Sequence, residues 1–368
     1  MKVKRATMMS PDERLEHGGR LGEAVRRWGI PRHDWLDLST GINSIGWPVP
    51  EIPASVWQRL PEDDDDLETE IRRWSGAPSS AGCLPVSGSQ AAIQMLPGLR
   101  KPCRVGIPAP GYQEHAHCWS RAGHEVVPVP LNSLASDAED DSHWLASLDV
   151  LVWINPNNPT GLRVSRERLL SWHEQLHVHS GWLVVDEAFM DGSGESLLPI
   201  ADKPGLVVLR SLGKFFGLAG LRAGAVIGDP EITHRLAIEL GPWAISGPAR
   251  YIMALALSDR SWQIETTARL ADASQRLQRL MEDTGLSTVT GTSLFRYCAF
   301  QQAEAFADAL AREGVLVRRF EDPNALRFGL PGTEAEWQRL SNALAIAQKT
   351  IARTNAETSQ IWQRFFFF

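Results

Sequence analysis

Cysteine and lysine are scarce in this sequence, and it has neither a long apolar run nor a basic stripe. Each shortage removes a class of explanation. Cys83, Cys103, Cys118 and Cys298 are scattered without metal-ligand spacing, so buried free thiols in a reducing cytoplasm are expected. No segment approaches a membrane span. The basic opening from Met1 to Ser10 meets Pro11, Asp12 and Glu13 before any sufficient apolar run, which argues against a signal peptide. The formal net charge is -7, and no alternation of basic and aromatic residues offsets it, so a nucleic-acid partner is not expected. The acidic run Asp63 to Asp66 comes without converging ligands. It is expected to cap the helix from Leu67 to Trp74 and face solvent rather than hold a metal.

What is present suits a globular α/β protein. The 368 residues can bury the cores of two or more domains, and 43% hydrophobic with 22% charged residues is ordinary for such a chain. Fourteen tryptophans exceed what a site could use, so most must serve packing. The run Phe365 to Phe368 has no evident physical reason. From Gly82 onward short apolar stretches alternate with helical patterns. Strands are expected at 104–107, 125–129, 149–154, 181–187 and 206–209, with helices at 113–122 and 165–178 between them. That alternation predicts a mostly parallel sheet, with ligands at the carboxyl ends of its strands. Tyr112, Asn158, Asp186 and Lys214 all fall at those ends.

After Asp229-Pro230 the pattern predicts helices over 231–240 and from Ala249 to about Glu282, the second interrupted near Asp259. A small α/β region follows. The expected division is an arm of residues 1–48 that contributes to the small domain, a large domain of 49–250, and a small domain of 251–368.

One stretch concentrates chemistry. The apolar run Leu206 to Leu209 leads to a hydroxyl at Ser211, a lone amine at Lys214 and a guanidinium at Arg222, with small residues between. Partial burial lowers an amine's pKa and makes it a nucleophile toward an aldehyde. Taken alone, Lys214 reads equally well as a loop-mouth lysine in water. Two donors beside one amine also suit an anionic carbonyl cofactor. Asp186 closes an apolar strand and needs a cation or hydrogen-bond donors. Gly88, Ser89 and Gln90 stand at a helix start, where backbone N–H groups can take an anion or simply cap. Arg327, in Leu-Arg-Phe-Gly-Leu, lies between apolar neighbours in a strand.

Ser-x-x-Lys with Arg eight places beyond the lysine resembles the aspartate-aminotransferase-like enzymes of fold type I, which use pyridoxal 5'-phosphate. The resemblance implies that Lys214 carries the cofactor covalently. Ser211, Arg222 and the cup of Gly88, Ser89 and Gln90 would hold its phosphate. Tyr112 would stack on the ring, Asn158 would bond its 3-oxygen, and Asp186 would face the pyridine nitrogen. Arg327 would grip the substrate α-carboxylate as a bidentate fork. It also implies a homodimer, because such enzymes share sites between subunits.

Two positions depart from that pattern. Phe189 stands where many relatives have a tyrosine that bonds the cofactor oxygen. Leu60 stands where many have one that reaches the partner's cofactor phosphate. His17-Gly-Gly, Leu36-Asp-Leu-Ser-Thr-Gly-Ile-Asn43 and Gly46-Trp-Pro look like the threonine-phosphate decarboxylases of cobalamin synthesis. That resemblance implies decarboxylation of L-threonine O-3-phosphate. His17 and Asn43, with Arg318 or Arg319 (Arg319 being the expected partner), are candidates to close around the substrate phosphate. His17 reads alternatively as a hydrogen-bonded structural residue. An aminotransferase acting on histidinol phosphate is the alternative reading, and a cofactor-free regulatory or scaffold protein is a remote one.

Overall fold

The computed structural model describes residues 15–131, 141–190 and 194–366, with side chains described up to residue 353. The basic opening and the terminal phenylalanine run lie outside the described residues or side chains.

Seven strands build the larger sheet: β2 (Gly82–Val86), β3 (Arg104–Ala109), β4 (Glu125–Pro130), β5 (Val150–Ile154), β6 (Trp182–Asp186), β7 (Leu206–Ser211) and β8 (Gly224–Gly228). β1 (Leu36–Leu38) belongs elsewhere. The order is β2-β8-β7-β6-β5-β3-β4. β7, β6, β5, β3 and β4 run parallel, while β8 is antiparallel to both of its neighbours. β5 and β6 are buried at every residue, as expected of interior parallel strands covered on both faces. Val105, Ile107 and Val152 face one helical layer; Leu183, Val185 and Val208 face the other.

The smaller sheet has five strands in the order β1-β11-β12-β10-β9, with β9 (Thr290–Gly291), β10 (Phe295–Ala299), β11 (Val315–Phe320) and β12 (Ala325–Gly329). β1 pairs in parallel with β11, so the N-terminal segment is built into this sheet. The helices 260–283, 303–312 and 334–366 cover one of its faces through Leu277, Met281, Phe306, Leu310, Leu340 and Leu344.

The predicted interruption at Asp259 is real. Its carboxylate accepts from Trp262 N at 3.1 Å and starts a new helix at Arg260, a cap of about 1 kcal/mol. Asp229 does the same for the helix Pro230–Leu240, with proline at its first turn. The acidic run is exposed as expected, and Asp65 Oδ1 accepts from Leu67 N at 3.3 Å at the helix start. Asp65 and Asp63 also bond Arg250, which is buried, at 2.6 and 3.0 Å. A buried guanidinium needs a counter-charge, so these exposed carboxylates serve it as well.

Candidate active site

The carboxyl ends of four parallel strands meet in one place. β3 leads into Tyr112, β5 into the loop carrying Asn158, β6 ends at Asp186 and β7 ends at Ser211 just before Lys214. Parallel strands deliver all their carboxyl ends to one edge, so residues distant in sequence converge without special packing.

Asp186 is 3% exposed. One carboxylate oxygen lies 2.9 Å from His115 Nε2, and the other accepts from Ala188 N at 2.9 Å. His115 is buried and comes from the helix 113–121. Sequence reasoning missed it. The available signal was its place in the first turn of a helix after a strand flanking this edge, where a buried acid needs a partner. The next residue, Glu187, points away, since successive strand residues alternate sides. It accepts from Arg210 Nη1 at 3.1 Å, Ser196 Oγ at 2.6 Å and Leu197 N at 2.8 Å. Burial raises its pKa, against the pull of Arg210, and it serves structure.

Lys214 is half-buried, and its Nζ lies 5.3 Å from the centroid of the Phe189 ring. Among the described residues no carboxylate forms an ion pair with it. Burial, reinforced by Arg327, lowers its pKa to about 8, with Asp186 pulling the other way. The aromatic side chain at Phe189 therefore floors the amine. It also packs edge-on against Phe295 at 5.1 Å between centroids.

Ser211 and Arg222 reach the helix start at Ser89 because of two glycines. Gly88 has φ +75°, a region L side chains rarely adopt, and a Cβ there would lie 2.8 Å from Arg222 Nη2. Gly224, paired with Ser211, presses so closely on the cup that a Cβ would lie 3.0 Å from Ser89 N. The result is a concavity of backbone N–H groups with a guanidinium beside it, suited to a phosphate. The Tyr112 hydroxyl donates to Gln90 Oε1 at 3.2 Å, and burial raises its pKa.

Arg327 faces this edge from the small sheet. It is 6% exposed; its guanidinium donates to Asn158 Oδ1 and, at 3.0 Å, to Ser39 O. Its buried Nε has no hydrogen-bond partner. Burial and then Arg318 lower its pKa to about 10. A buried cation with only neutral partners and one spare donor is prepared for an anion.

Three expected substrate residues are placed otherwise. Arg319 bonds Glu304 at 2.6 Å, on the helix-covered side of the sheet. Arg318, not Arg319, pairs with Arg327 in register and shares its face. The pleat explains this: Val315 and Val317 are buried in the helical core, and Arg319 continues their parity. That alternation was legible in Val-Leu-Val-Arg-Arg. Asn43 is 3% exposed and its carboxamide is spent on the chain. It donates to Phe215 O at 2.9 Å and accepts from Ile45 N at 3.1 Å, while its own N–H donates to Lys214 O. It therefore braces the lysine loop. His17 Nε2 lies 2.7 Å from Glu114 Oε1, as in the structural alternative for it. Leu60 is 62% exposed.

With this geometry in view, the comparisons fall into place. Residues 59–344 match the family model for aminotransferase class I and II. The chain belongs to that family. It is 49% identical over 331 residues to a threonine-phosphate decarboxylase of Pseudomonas aeruginosa, covering 90% of this chain and 97% of that protein. A threonine-phosphate decarboxylase of a Sinorhizobium species is 37% identical over 345 residues, covering 90% and 98%. Among solved structures, the histidinol-phosphate aminotransferase from Sinorhizobium meliloti in complex with pyridoxal-5'-phosphate aligns with TM-score 0.78 at 21% identity, over 95% of this chain and 99% of that one. At that identity the match speaks for the fold. The fold is thus fold type I, as expected.

The residues also fit the family's cofactor. The glycine-shaped cup with Ser211 and Arg222 suits a phosphate, Tyr112 offers a ring face, Asp186 a carboxylate secured by His115, and Lys214 an amine of lowered pKa. Among the described residues no cluster of His, Cys, Asp and Glu could hold a metal.

Proposed function

We propose that this protein decarboxylates L-threonine O-3-phosphate, with pyridoxal phosphate as cofactor, to give CO2 and (R)-1-amino-2-propanol O-phosphate for cobalamin synthesis. The carrying observation is the pair Arg327 and Arg318, held in register on adjacent strands of one face opposite Lys214. Arg327 has only neutral partners and Arg318 meets one exposed carboxylate, that of Glu16 at 3.5 Å, so the pair can take two further anionic groups; this substrate brings a carboxylate and a phosphate. The relatives at 49% and 37% identity support decarboxylation over transamination.

Lys214 would hold the cofactor covalently, with Ser211, Arg222 and the cup of Gly88, Ser89 and Gln90 at its phosphate. Tyr112 would lie against its ring and Asn158 at its 3-oxygen. Bound, the cofactor supplies a conjugated ring that draws electrons from the substrate's Cα. Asp186, kept in place by His115 and Ala188 N, stabilises positive charge at the ring nitrogen. Arg327 takes the α-carboxylate and Arg318 the phosphate. A substrate fixed at both ends presents one chosen bond of Cα for cleavage. Once the substrate amine has replaced it on the cofactor, the freed Lys214 amine would deliver a proton to Cα after CO2 leaves.

Two separate sheets, with β1 joined to the smaller one, support an arm, a large and a small domain; the boundary belongs beyond 250, because the helix Gly247–Ser258 spans it and places Ile252, Met253, Ala256 and Leu257 in the large domain's core. No described helix is long and apolar enough to cross a membrane. A cytoplasmic homodimer is our reading of the family, whose sites are shared between subunits.

The test is sustained release of CO2 and aminopropanol phosphate from threonine phosphate without a keto acid. Lys214→Ala should abolish it, by about 10⁴-fold or more. A requirement for a keto acid, or turnover of histidinol phosphate instead, would replace this reading with an aminotransferase.

A further inference from the structure

We infer that Glu114 is a positioning residue that ties the N-terminal arm to the cofactor cup. Its side chain is 15% exposed. Oε1 lies 2.7 Å from His17 Nε2, and Oε2 accepts from Gln90 Nε2 at 2.9 Å. Gln90 in turn accepts from the Tyr112 hydroxyl, and the His17 and Tyr112 rings lie 6.1 Å apart. One carboxylate thus joins the arm, the helix start of the cup and the aromatic ring over the site.

The arm crosses between the two halves of the molecule at this point. Its strand β1 belongs to the small sheet, yet His17 reaches Glu114 on a helix of the large one. The neighbouring residue, Glu16, faces back. Arg318 Nη2 donates to Glu16 O at 2.9 Å, and Nη1 lies 3.5 Å from its carboxylate. Beside the clasp is an open pocket of about 210 Å³ that Leu15, His17 and Glu114 help to line. Close packing fixes the arm on its other side, where Leu15 is buried and Gly18 presses on Ser39 O; across the pocket the link is the His17–Glu114 hydrogen bond.

Resting on the reading above, substrate phosphate arriving at Arg318 displaces Glu16, one contact of the arm to the small domain beside β1. The segment around His17 then keeps its link to the large domain through Glu114. Glu114 touches neither substrate nor cofactor in this scheme; it acts through His17 and through Gln90.

The test uses the pyridoxal-phosphate-loaded protein with Glu114→Gln, His17→Gln and the double variant. Glu114→Gln should raise KM for threonine phosphate about tenfold and change kcat by less than about threefold. His17→Gln should raise KM similarly, and the double variant should be no worse than either single one. Trypsin cleavage at Arg20 should accelerate about tenfold in both single variants, and Glu114→Gln alone should also weaken pyridoxal phosphate binding to the cofactor-free protein. Unchanged KM and cleavage, multiplying effects in the double variant, or a parallel loss of kcat and melting temperature would overturn the inference. If wild-type protein releases no CO2, the decarboxylase reading fails, while the cleavage comparison still decides the role of Glu114.

Discussion

The two faces of the site are built on different principles. On the large-sheet side, Tyr112, Asn158, Asp186 and Lys214 stand at or just past the carboxyl ends of parallel strands. Position along the chain is enough to bring them together, and a shift of one residue in a loop is absorbed. On the small-sheet side, Arg318 and Arg327 project from within antiparallel strands. There the pleat decides, and the adjacent Arg319 faces the opposite way. Charge differs as well. The acid on the large side is already secured by His115, whereas Arg327 has neutral partners and an unused Nε. On the function proposed above, the preassembled face would receive the resident cofactor and the incomplete one a transient anion.

The sharpest way to break this contrast is Arg327→Gln. It should lower kcat/KM by about 100-fold, the loss of about 3 kcal/mol expected for a charge-assisted pair in a buried site, with cofactor binding unaffected. A comparable loss of pyridoxal phosphate affinity would show that the two faces do not divide the work. Arg318→Gln should cost about 30-fold in kcat/KM on threonine phosphate and leave binding of unphosphorylated threonine unchanged. Equal losses on both ligands would remove Arg318 from the phosphate role.

A smaller effect concerns Lys214. An amine with pKa about 8 is about one-tenth neutral at pH near 7 and half neutral at pH near 8. The neutral form is the nucleophile, so capture of pyridoxal phosphate by the cofactor-free protein should speed up about fivefold over that interval and level off above pH of about 9. Visible absorbance of the bound cofactor measures it. A midpoint above pH of about 10 would mean that burial does not tune this amine. The smallest effect belongs to Arg319→Gln. With its Glu304 pair part-exposed, it should change kcat/KM by less than about twofold and stability by about 0.5 kcal/mol.

These contrasts explain which parts were legible in the sequence. The alternation of apolar strands and helices, the interruption near Asp259, and the placing of Asn158, Asp186 and Lys214 at strand ends were all readable. They depend on local propensity or on strand ends. His115 was hidden because its partner is 71 residues away and only the neighbouring strands bring them together. Asn43 was read as a ligand residue because its loop is rich in glycine and polar groups. Its use as a brace for Phe215 and Lys214 depends on contacts 172 residues apart. The acidic run at Asp63 to Asp66 is exposed as read, but its pairing with the buried Arg250 was hidden because that arginine lies far along the chain.

The sequence by itself determined the succession of strands and helices in the large domain, the strand ends that carry Tyr112, Asn158, Asp186 and Lys214, and most helix boundaries. These follow from periodicity, capping and the geometry of parallel strands. Tertiary structure alone decided what secures Asp186, what Asn43 braces, and where the arm is fastened. Those outcomes turn on burial and hydrogen bonds between distant segments, and no local pattern fixes such pairings until the two sheets are folded against one another.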